Sequence, residues 1–139
     1  MPPKNLPPGP PTLIATMRYA DAQKAIGWLD RAFGFQTQFV VPGENGAIMH
    51  SQLTLGSAMV MVSTGPGPAK RPTGFENSGF SLYIVVKDPD ALHDRAKAAG
   101  AEISMSLRDT DYGSRDFSCI DPEGYVWNFG TYQPWTDGA

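Results

Sequence analysis

Few side chains in this 139-residue chain can carry acid–base or nucleophilic chemistry. The sequence has two histidines, His50 and His93, and one cysteine, Cys119. An imidazole at His50 could serve as a general base, but a hydrogen-bonded polar residue near a strand end is the favoured interpretation. His93 lies off the apolar stripe of a predicted helix, and Cys119 lies in a predicted core strand with no activating partner. The sequence therefore offers no Ser-His-Asp or Cys-His arrangement.

Side chains suited to ligand binding are more numerous. Arg18 and Arg115 could each present a forked donor to a carboxylate or phosphate, and a structural salt bridge is an equal alternative for each. Tyr83 is predicted to face a cleft, where its ring could contact a ligand. Three carboxylates around one late loop could instead favour a cation, and their faces are unresolved. These are Asp109, Asp111 and Asp116.

The composition limits the classes of partner. Hydrophobic residues make up 41% of the chain and charged residues 18%, which is typical of a globular domain with a real core. The formal net charge of -3 gives no electrostatic driving force for binding nucleic acid or an anionic membrane, so we expect neither partner. A single cysteine excludes an internal disulfide, and no apolar run approaches the length of a membrane span. We expect a cytoplasmic protein.

Proline and glycine divide the chain into elements. The prolines concentrated in residues 1–11 predict an extended N-terminal arm. A helix is predicted between a cap at Asp21 and a stop at Gly34, with apolar residues recurring at helical spacing. Around that helix, strands are predicted at residues 13–19, 35–41, 47–55 and 58–63.

The second half of the chain repeats this order. After a Gly- and Pro-rich linker at 64–78, a second helix is predicted from a cap at Asp88 to Gly100. The strands around it are predicted at 79–87, 102–107, 115–120 and 125–131. The sequence thus predicts an α+β fold of two tandem β-α-β-β-β modules, at residues 12–63 and 79–132, with a tail at 133–139. Each module is too small to be stable alone, so we expect the two to pair.

Strand alternation assigns the predicted faces. Met17 and Tyr19 are expected to face the first helix, with Arg18 on the opposite side. Tyr83 is likewise expected opposite an apolar back formed by Phe80, Leu82, Ile84 and Val86. The polar residues expected on the same side as Arg18 and Tyr83 are His50, Gln52 and Asn128.

Several segments carry a family resemblance. They are Tyr19-Ala20-Asp21 with Ala32-Phe33-Gly34-Phe35, then His50-Ser51-Gln52-Leu53-Thr54-Leu55-Gly56, then Asp111-Tyr112-Gly113, and finally Asp121-Pro122-Glu123-Gly124-Tyr125-Val126-Trp127-Asn128-Phe129. In this order and spacing, the chain resembles the vicinal oxygen chelate superfamily of glyoxalases, extradiol dioxygenases, fosfomycin-modifying enzymes and bleomycin-resistance proteins. The resemblance implies a curved mixed sheet with a concave cleft and helices on the convex side.

The resemblance also implies where a divalent metal would bind. The family's metal positions fall on Ile14, Gln52, Ser81 and Asn128. None of these is a histidine, aspartate or glutamate, which are the usual ligands of catalytic divalent metals. We therefore expect a metal-free member of the family with no cofactor.

The predicted function is reversible capture of an aromatic or amphipathic small molecule, as the resemblance to bleomycin-resistance proteins implies. A homodimer that encloses the ligand is expected on the same basis. The candidate ligand contacts are Arg18, His50, Gln52, Tyr83, Tyr112, Arg115 and Asn128. The alternative is a glyoxalase-like lyase or isomerase, or a dioxygenase, that uses a non-standard metal site or His50 as a base.

Overall fold

The computed structural model describes residues 12–67 and 80–134. The predicted arm, most of the predicted linker and the end of the tail lie outside the described residues. In chain order the strands and helices are β1 (Ala15–Tyr19), α1 (Ala22–Phe33), β2 (Gln36–Pro42), β3 (Ile48–Leu55), β4 (Ala58–Thr64), β5 (Leu82–Val85), α2 (Pro89–Ala98), β6 (Glu102–Asp109), β7 (Arg115–Ile120) and β8 (Val126–Gly130). A single 3-10 turn, Glu44–Gly46, separates β2 from β3.

Two four-stranded sheets with the same topology form the body of the molecule. The first has the strand order β1-β4-β3-β2, and the second has the order β5-β8-β7-β6. In each sheet one pair is parallel, β1 with β4 and β5 with β8, and the other pairs are antiparallel. The equivalence of the two orders confirms the prediction of two tandem modules in an α+β fold.

The first helix begins and ends where its sequence predicts. The Asp21 carboxylate accepts a hydrogen bond from the Lys24 backbone N–H at 3.1 Å, which satisfies one of the free amides at the helix start. Gly34 ends the helix with φ of +88°, a conformation that costs a residue with a Cβ atom free energy. The buried face includes Trp28, whereas Ile26, which the helical spacing places in the stripe, is only partly buried.

The two modules share one hydrophobic core through their helices. The Phe33 ring of α1 lies 5.1 Å from the Trp127 ring and 4.7 Å from the Phe129 ring of β8, measured between centroids. The indole N–H of Trp28 donates to the Ala99 carbonyl at 2.7 Å, just beyond α2. Burial of these rings against the other module supplies the apolar area that one module lacks alone.

A buried carboxylate also joins the modules. Asp121 is fully buried in the turn between β7 and β8, and accepts hydrogen bonds from the Tyr19 hydroxyl at 2.7 Å and the Trp127 indole N–H at 3.0 Å. In the same turn Glu123 accepts hydrogen bonds from the backbone N–H groups of Ala20 and Asp21 at the start of α1. The turn of the second module therefore orients the β1–α1 junction of the first.

The expected back of β5 is only partly correct. Leu82, Ile84 and Val86 pack against the common core, as alternation predicts. Phe80 does not join them, because it precedes the shortened strand and is 65% exposed. Among the described residues, no helix is long and apolar enough to cross a membrane.

Candidate functional site

The polar side chains of the first sheet form a short hydrogen-bonded chain on the face turned away from the helices. The Gln52 side-chain amide donates to the Gln38 Oε1 at 2.8 Å, and the Gln52 Oε1 lies 2.8 Å from the His50 Nε2. This arrangement assigns the imidazole hydrogen of His50 to Nε2. The ring of Phe39 lies beside the imidazole, with centroids 6.2 Å apart. His50 and Gln52 are thus brought together, as expected from alternation.

Asn128 is the centre of a second hydrogen-bonded group on the other sheet. Its Oδ1 accepts from the Ser118 hydroxyl on β7, and its Nδ2 donates to the Ser81 hydroxyl and to the Leu82 carbonyl, both at 2.9 Å. Asn128 is buried, and these contacts use its amide oxygen and both of its amide hydrogens. Asn128 therefore ties β5, β8 and β7 together at the floor of a cavity.

Tyr83 contacts a buried carboxylate beside that floor. Its hydroxyl donates to the Asp116 Oδ1 at 2.9 Å and accepts from the Tyr132 backbone N–H at 3.1 Å. Burial raises the pKa of Tyr83 to about 12, and the neighbouring Asp116 acts in the same direction. The hydroxyl therefore stays protonated at neutral pH and remains a donor to Asp116.

Gly130 makes the Tyr83–Asp116 contact possible. Gly130 lies directly across the β7–β8 ladder from Asp116. A Cβ atom at position 130 would overlap both the Asp116 carboxylate and the Tyr83 hydroxyl. A glycine inside a strand commonly marks such a close approach.

Two adjoining cavities lie over this part of the second sheet. One has a volume of about 300 Å³, and its wall contains Met105, Arg108 and Asn128. The other has a volume of about 390 Å³ and is lined by Tyr83, Tyr112, Tyr132 and Asp116. Tyr83, Tyr112 and Asp116 belong to both walls, so the two spaces form one continuous groove.

The two candidate arginines are placed differently from each other. Arg18 is exposed on β1, and its backbone N–H and carbonyl both bond to the Tyr125 hydroxyl. Arg115 bonds through two nitrogens to the Asp90 carboxylate of α2, and at 3.2 Å to Asp109. Of the two roles considered for Arg115, ligand binding and a structural salt bridge, the structure shows the salt bridge. It lies toward the helix side, apart from the groove that contains Tyr83, Tyr112 and Asn128.

Seven residues of the groove are not among the ligand contacts predicted from sequence: Ser81, Met105, Arg108, Asp116, Phe117, Ser118 and Tyr132. Alternation alone does not assign Asp116 to a face of the sheet, but the Asp121–Gly124 turn allows its position in the sheet to be predicted. That turn sets the β7–β8 register, which places Ser118 opposite Asn128 and Asp116 opposite Gly130. Met105 and Arg108 share a face because β6 has register irregularities on both sides of Met105.

Cys119 has the environment of a core residue. It is fully buried, and burial raises the pKa of its thiol to about 12. A thiol that holds its proton this firmly is a poor nucleophile at neutral pH.

The residues at the family's metal positions do not fit a divalent cation. Ile14 has no donor atom. The Gln52 oxygen faces His50 on one sheet, whereas Ser81 and Asn128 bond to each other on the other sheet. Neutral oxygens already engaged in hydrogen bonds are weak competitors for a divalent metal. Within residues 12–67 and 80–134, no group of three or more histidine, cysteine, aspartate or glutamate side chains is arranged to hold a metal ion.

Known proteins share both the sequence pattern and the fold. An uncharacterized protein of Mycobacterium tuberculosis and one of Mycobacterium bovis are each 30% identical over 125 residues, or 86% of this chain, which corresponds to 74% and 82% of the respective relatives. The crystal structure of TioX from Micromonospora sp. ML1 superposes with a TM-score of 0.68 at 30% identity, covering 86% of this chain and 96% of TioX.

More distant structures share the fold alone. The fosfomycin resistance protein FosX from Listeria monocytogenes has a TM-score of 0.67 at 14% identity, over 89% of this chain and 94% of FosX.

The sequence model of the Glyoxalase/Bleomycin resistance protein/Dioxygenase superfamily matches residues 13–129, which is most of the chain. The resemblance seen in the sequence motifs is therefore confirmed, and the chain belongs to this superfamily, the vicinal oxygen chelate proteins.

Proposed function

We propose that the protein binds an aromatic or amphipathic small molecule and sequesters it without making or breaking a covalent bond. The observation that carries this proposal is the groove over the second sheet, where aromatic rings and polar groups line two adjoining cavities. Grooves that combine apolar walls with a few placed polar groups are typical of small-molecule sites. The ligand would be held by ring contacts with Tyr83 and Tyr112 and by polar contacts along the floor.

The chemistry of the groove supports binding over catalysis. Asn128 and Ser81 are engaged in hydrogen bonds to each other, and the Tyr83 hydroxyl holds its proton at neutral pH. The His50 imidazole lies on the other sheet and uses its Nε2 hydrogen toward Gln52. Among the described residues, no histidine lines the groove.

We also propose that the working unit is a homodimer. Each sheet packs its helix-facing side into the common core, which leaves its opposite side open. The edge strand β2 is exposed along nearly its whole length and presents Phe39 and Val40. Exposed apolar edge strands are prone to association, and a second copy would cover this one.

A ligand screen by thermal unfolding tests the binding proposal. The panel contains natural-product antibiotics and aromatic metabolites, and a true ligand at a hundred times its Kd should stabilise the fold by about 2.7 kcal/mol. Each compound that raises the melting temperature is titrated again with Tyr112→Ala, which removes an exposed ring of the groove. We expect weaker binding by this variant and unchanged binding by Gln23→Ala, whose side chain is exposed on α1. Absence of saturable binding across the panel would overturn the proposal.

Metal titration tests the catalytic alternative in the same preparation. Co²⁺, Ni²⁺, Mn²⁺ and Zn²⁺ are added to the purified protein, and turnover of a glutathione hemithioacetal is followed. We expect no stoichiometric binding and no turnover, because the family's ligand positions lack histidine and carboxylate side chains. Stoichiometric metal binding accompanied by turnover would replace sequestration with catalysis.

A further inference from the structure

Asp116 is a largely buried carboxylate that lies across the β6–β7 ladder from Arg108. It is 8% exposed, and its Oδ1 accepts one hydrogen bond, from the neutral Tyr83 hydroxyl. Among the described residues, no arginine, lysine or histidine forms an ion pair with Asp116, Arg108 included, and the Tyr83 hydroxyl is the donor that contacts its carboxylate. Buried charges in proteins are normally paired, so an unpaired carboxylate beside a cavity needs an explanation.

The other buried aspartate of the same hairpin shows the contrast. Asp121 accepts hydrogen bonds from the Tyr19 hydroxyl, the Trp127 indole and three backbone N–H groups of its own turn. Its hydrogen-bonding capacity is used within the protein, and its role is structural. Asp116 has one such donor and faces the groove, so part of its capacity remains for something that enters the groove.

Three tyrosines line a cavity together with Asp116. Tyr83 comes from β5, Tyr112 from the loop between β6 and β7, and Tyr132 from the segment after β8. Together with Asp116 they line the cavity of about 390 Å³. The rings of Tyr112 and Tyr132 meet edge to face, with centroids 5.5 Å apart and planes at 81°. Aromatic faces arranged around a small space attract a cation through the ring quadrupole.

The arrangement is held in place before any ligand arrives. The Tyr83 hydroxyl fixes the Asp116 carboxylate on one side and the Tyr132 backbone on the other. Gly130 leaves the space in which this contact forms. Preorganisation of this kind lowers the entropic cost of binding.

The nearby cations do not fill the same space. Arg115 is on the helix side, bonded to Asp90 and Asp109. Arg108 lines the adjoining cavity of about 300 Å³, where its Nε donates to the Met105 sulfur, but it does not line the cavity bounded by the three tyrosines. Asp116 thus lies where the two cavities join, with Tyr132 lining one of them and Arg108 lining the other.

We propose that Asp116 with Tyr83, Tyr112 and Tyr132 is a subsite for an organic ammonium group of the ligand. A methylated or primary ammonium would lie against the tyrosine faces and neutralise Asp116, while the rest of the molecule extends toward Asn128 and Arg108. This inference rests on the proposed small-molecule binding and narrows its ligand class to organic cations or molecules that carry a cationic end.

The test compares choline with 3,3-dimethylbutan-1-ol, which has the same shape without the charge. Binding of each to the full chain is followed by NMR chemical shifts of the tyrosine rings. We expect choline to bind at least tenfold more tightly than the neutral alcohol. Equal affinities within a factor of two, or no saturable shift with choline, would overturn the proposal. This comparison uses the unaltered protein, so it does not depend on whether a variant folds.

Asp116→Asn and Asp111→Asn form a matched pair of variants. Both remove one negative charge, but Asp111 is exposed in the neighbouring loop and does not line the cavity. We expect Asp116→Asn to weaken choline at least tenfold and the neutral alcohol less than twofold, with Asp111→Asn close to wild type. Equal losses in the two variants would show a long-range charge effect and contradict a local site. Tyr112→Leu, at an exposed ring, should weaken choline at least threefold.

The outcome separates this inference from the proposed function. If the antibiotic and metabolite panel yields neutral ligands that bind saturably while choline does not, the ammonium subsite is wrong and sequestration stands. If no compound of the panel and neither probe binds, sequestration itself fails.

Discussion

The hydroxyl of Tyr83 connects several features of the groove at the level of single atoms. It donates to the Asp116 carboxylate, accepts from the Tyr132 backbone and lies over Gly130. This one hydroxyl thus holds the Asp116 carboxylate and the segment that carries the Tyr132 ring, and it does so in the space left by Gly130. Its protonation state consequently bears on both the geometry of the site and the stability of the fold.

Tyr83 should make the stability of the protein depend on alkaline pH. Burial raises its folded-state pKa to about 12, whereas a tyrosine in an unfolded chain titrates near 10. Between these values the folded protein holds more protons than the unfolded chain, so the free energy of unfolding falls as pH rises from about 10 to 12. The tyrosine contribution is fully present below pH 10. Urea unfolding at several pH values and ¹³C NMR of the tyrosine Cζ atoms measure the two effects.

Tyr83→Phe is the control for this pH dependence. The variant should lose less stability than wild type between pH 10 and 12, and one Cζ resonance that titrates near 12 should disappear. Part of the loss of unfolding free energy at alkaline pH should remain in the variant, since burial also raises the pKa of Tyr19 and Tyr125. An identical pH dependence in wild type and variant would contradict the assignment to Tyr83.

At the level of elements, a glycine follows each helix, but Gly34 is the residue directly after α1 and Gly100 comes two residues after the end of α2. Both have positive φ, +88° and +97°. A Cβ at Gly34 would lie 3.1 Å from a guanidinium nitrogen of Arg95, whereas a Cβ at Gly100 would meet nothing within 4 Å. Arg95 donates from that position to the Asp30 and Arg31 carbonyls at the end of α1.

Alanine substitution at these two glycines separates backbone strain from the loss of the Arg95 contact. Gly100→Ala should cost about 1–2 kcal/mol of unfolding free energy through strain alone. Gly34→Ala should cost about 1 kcal/mol more, because its methyl group displaces the Arg95 hydrogen bonds between the modules. Urea denaturation of the two variants gives both values. A larger loss for Gly100→Ala would contradict this role of Arg95.

An element is predicted correctly from the sequence where its bounds are set by residues that are close together in the chain. The caps at Asp21 and Asp88 and the stop at Gly34 depend on a few neighbouring residues, and the sequence predicts them correctly. Strand β7 is predicted at its observed bounds, Arg115–Ile120. Simple alternation also puts Tyr83 and Asn128 on the groove side, because β5 and β8 are regular where those residues lie.

The groove itself was less accessible to sequence reasoning because it depends on distant parts of the chain. Asp116 meets Tyr83 through the register of three strands and through a glycine on the middle one. The irregularities of β6 put Met105 and Arg108 on one face, which strict alternation would place on opposite faces. Tyr132 follows the last strand, where no periodic pattern applies.

At the level of the whole molecule, the shared core determines which surfaces remain open. Phe33 packs against Trp127 and Phe129, so each module covers its helix-facing side with the other. The two sheets are separate within the chain, and their opposite faces carry the His50–Gln52 pair on one and the tyrosine groove on the other. In the proposed homodimer a second copy would cover both faces, because every contact of a two-fold symmetric interface occurs twice.

The dimer proposal leads to a prediction for Phe39. Wild-type protein should sediment at about twice the chain mass of 15.0 kDa, and Phe39→Glu should shift it toward the monomer. Phe39 is 51% exposed on the edge strand β2, and burial of such a side chain is worth about 1.5 kcal/mol or more. Its loss from both copies should raise the dimer dissociation constant at least a hundredfold. Gln23→Glu adds the same charge on the exposed side of α1 and should leave the dimer intact. A wild-type protein that sediments as a monomer at micromolar concentration would refute the homodimer, and the groove would then have to retain its ligand within a single chain.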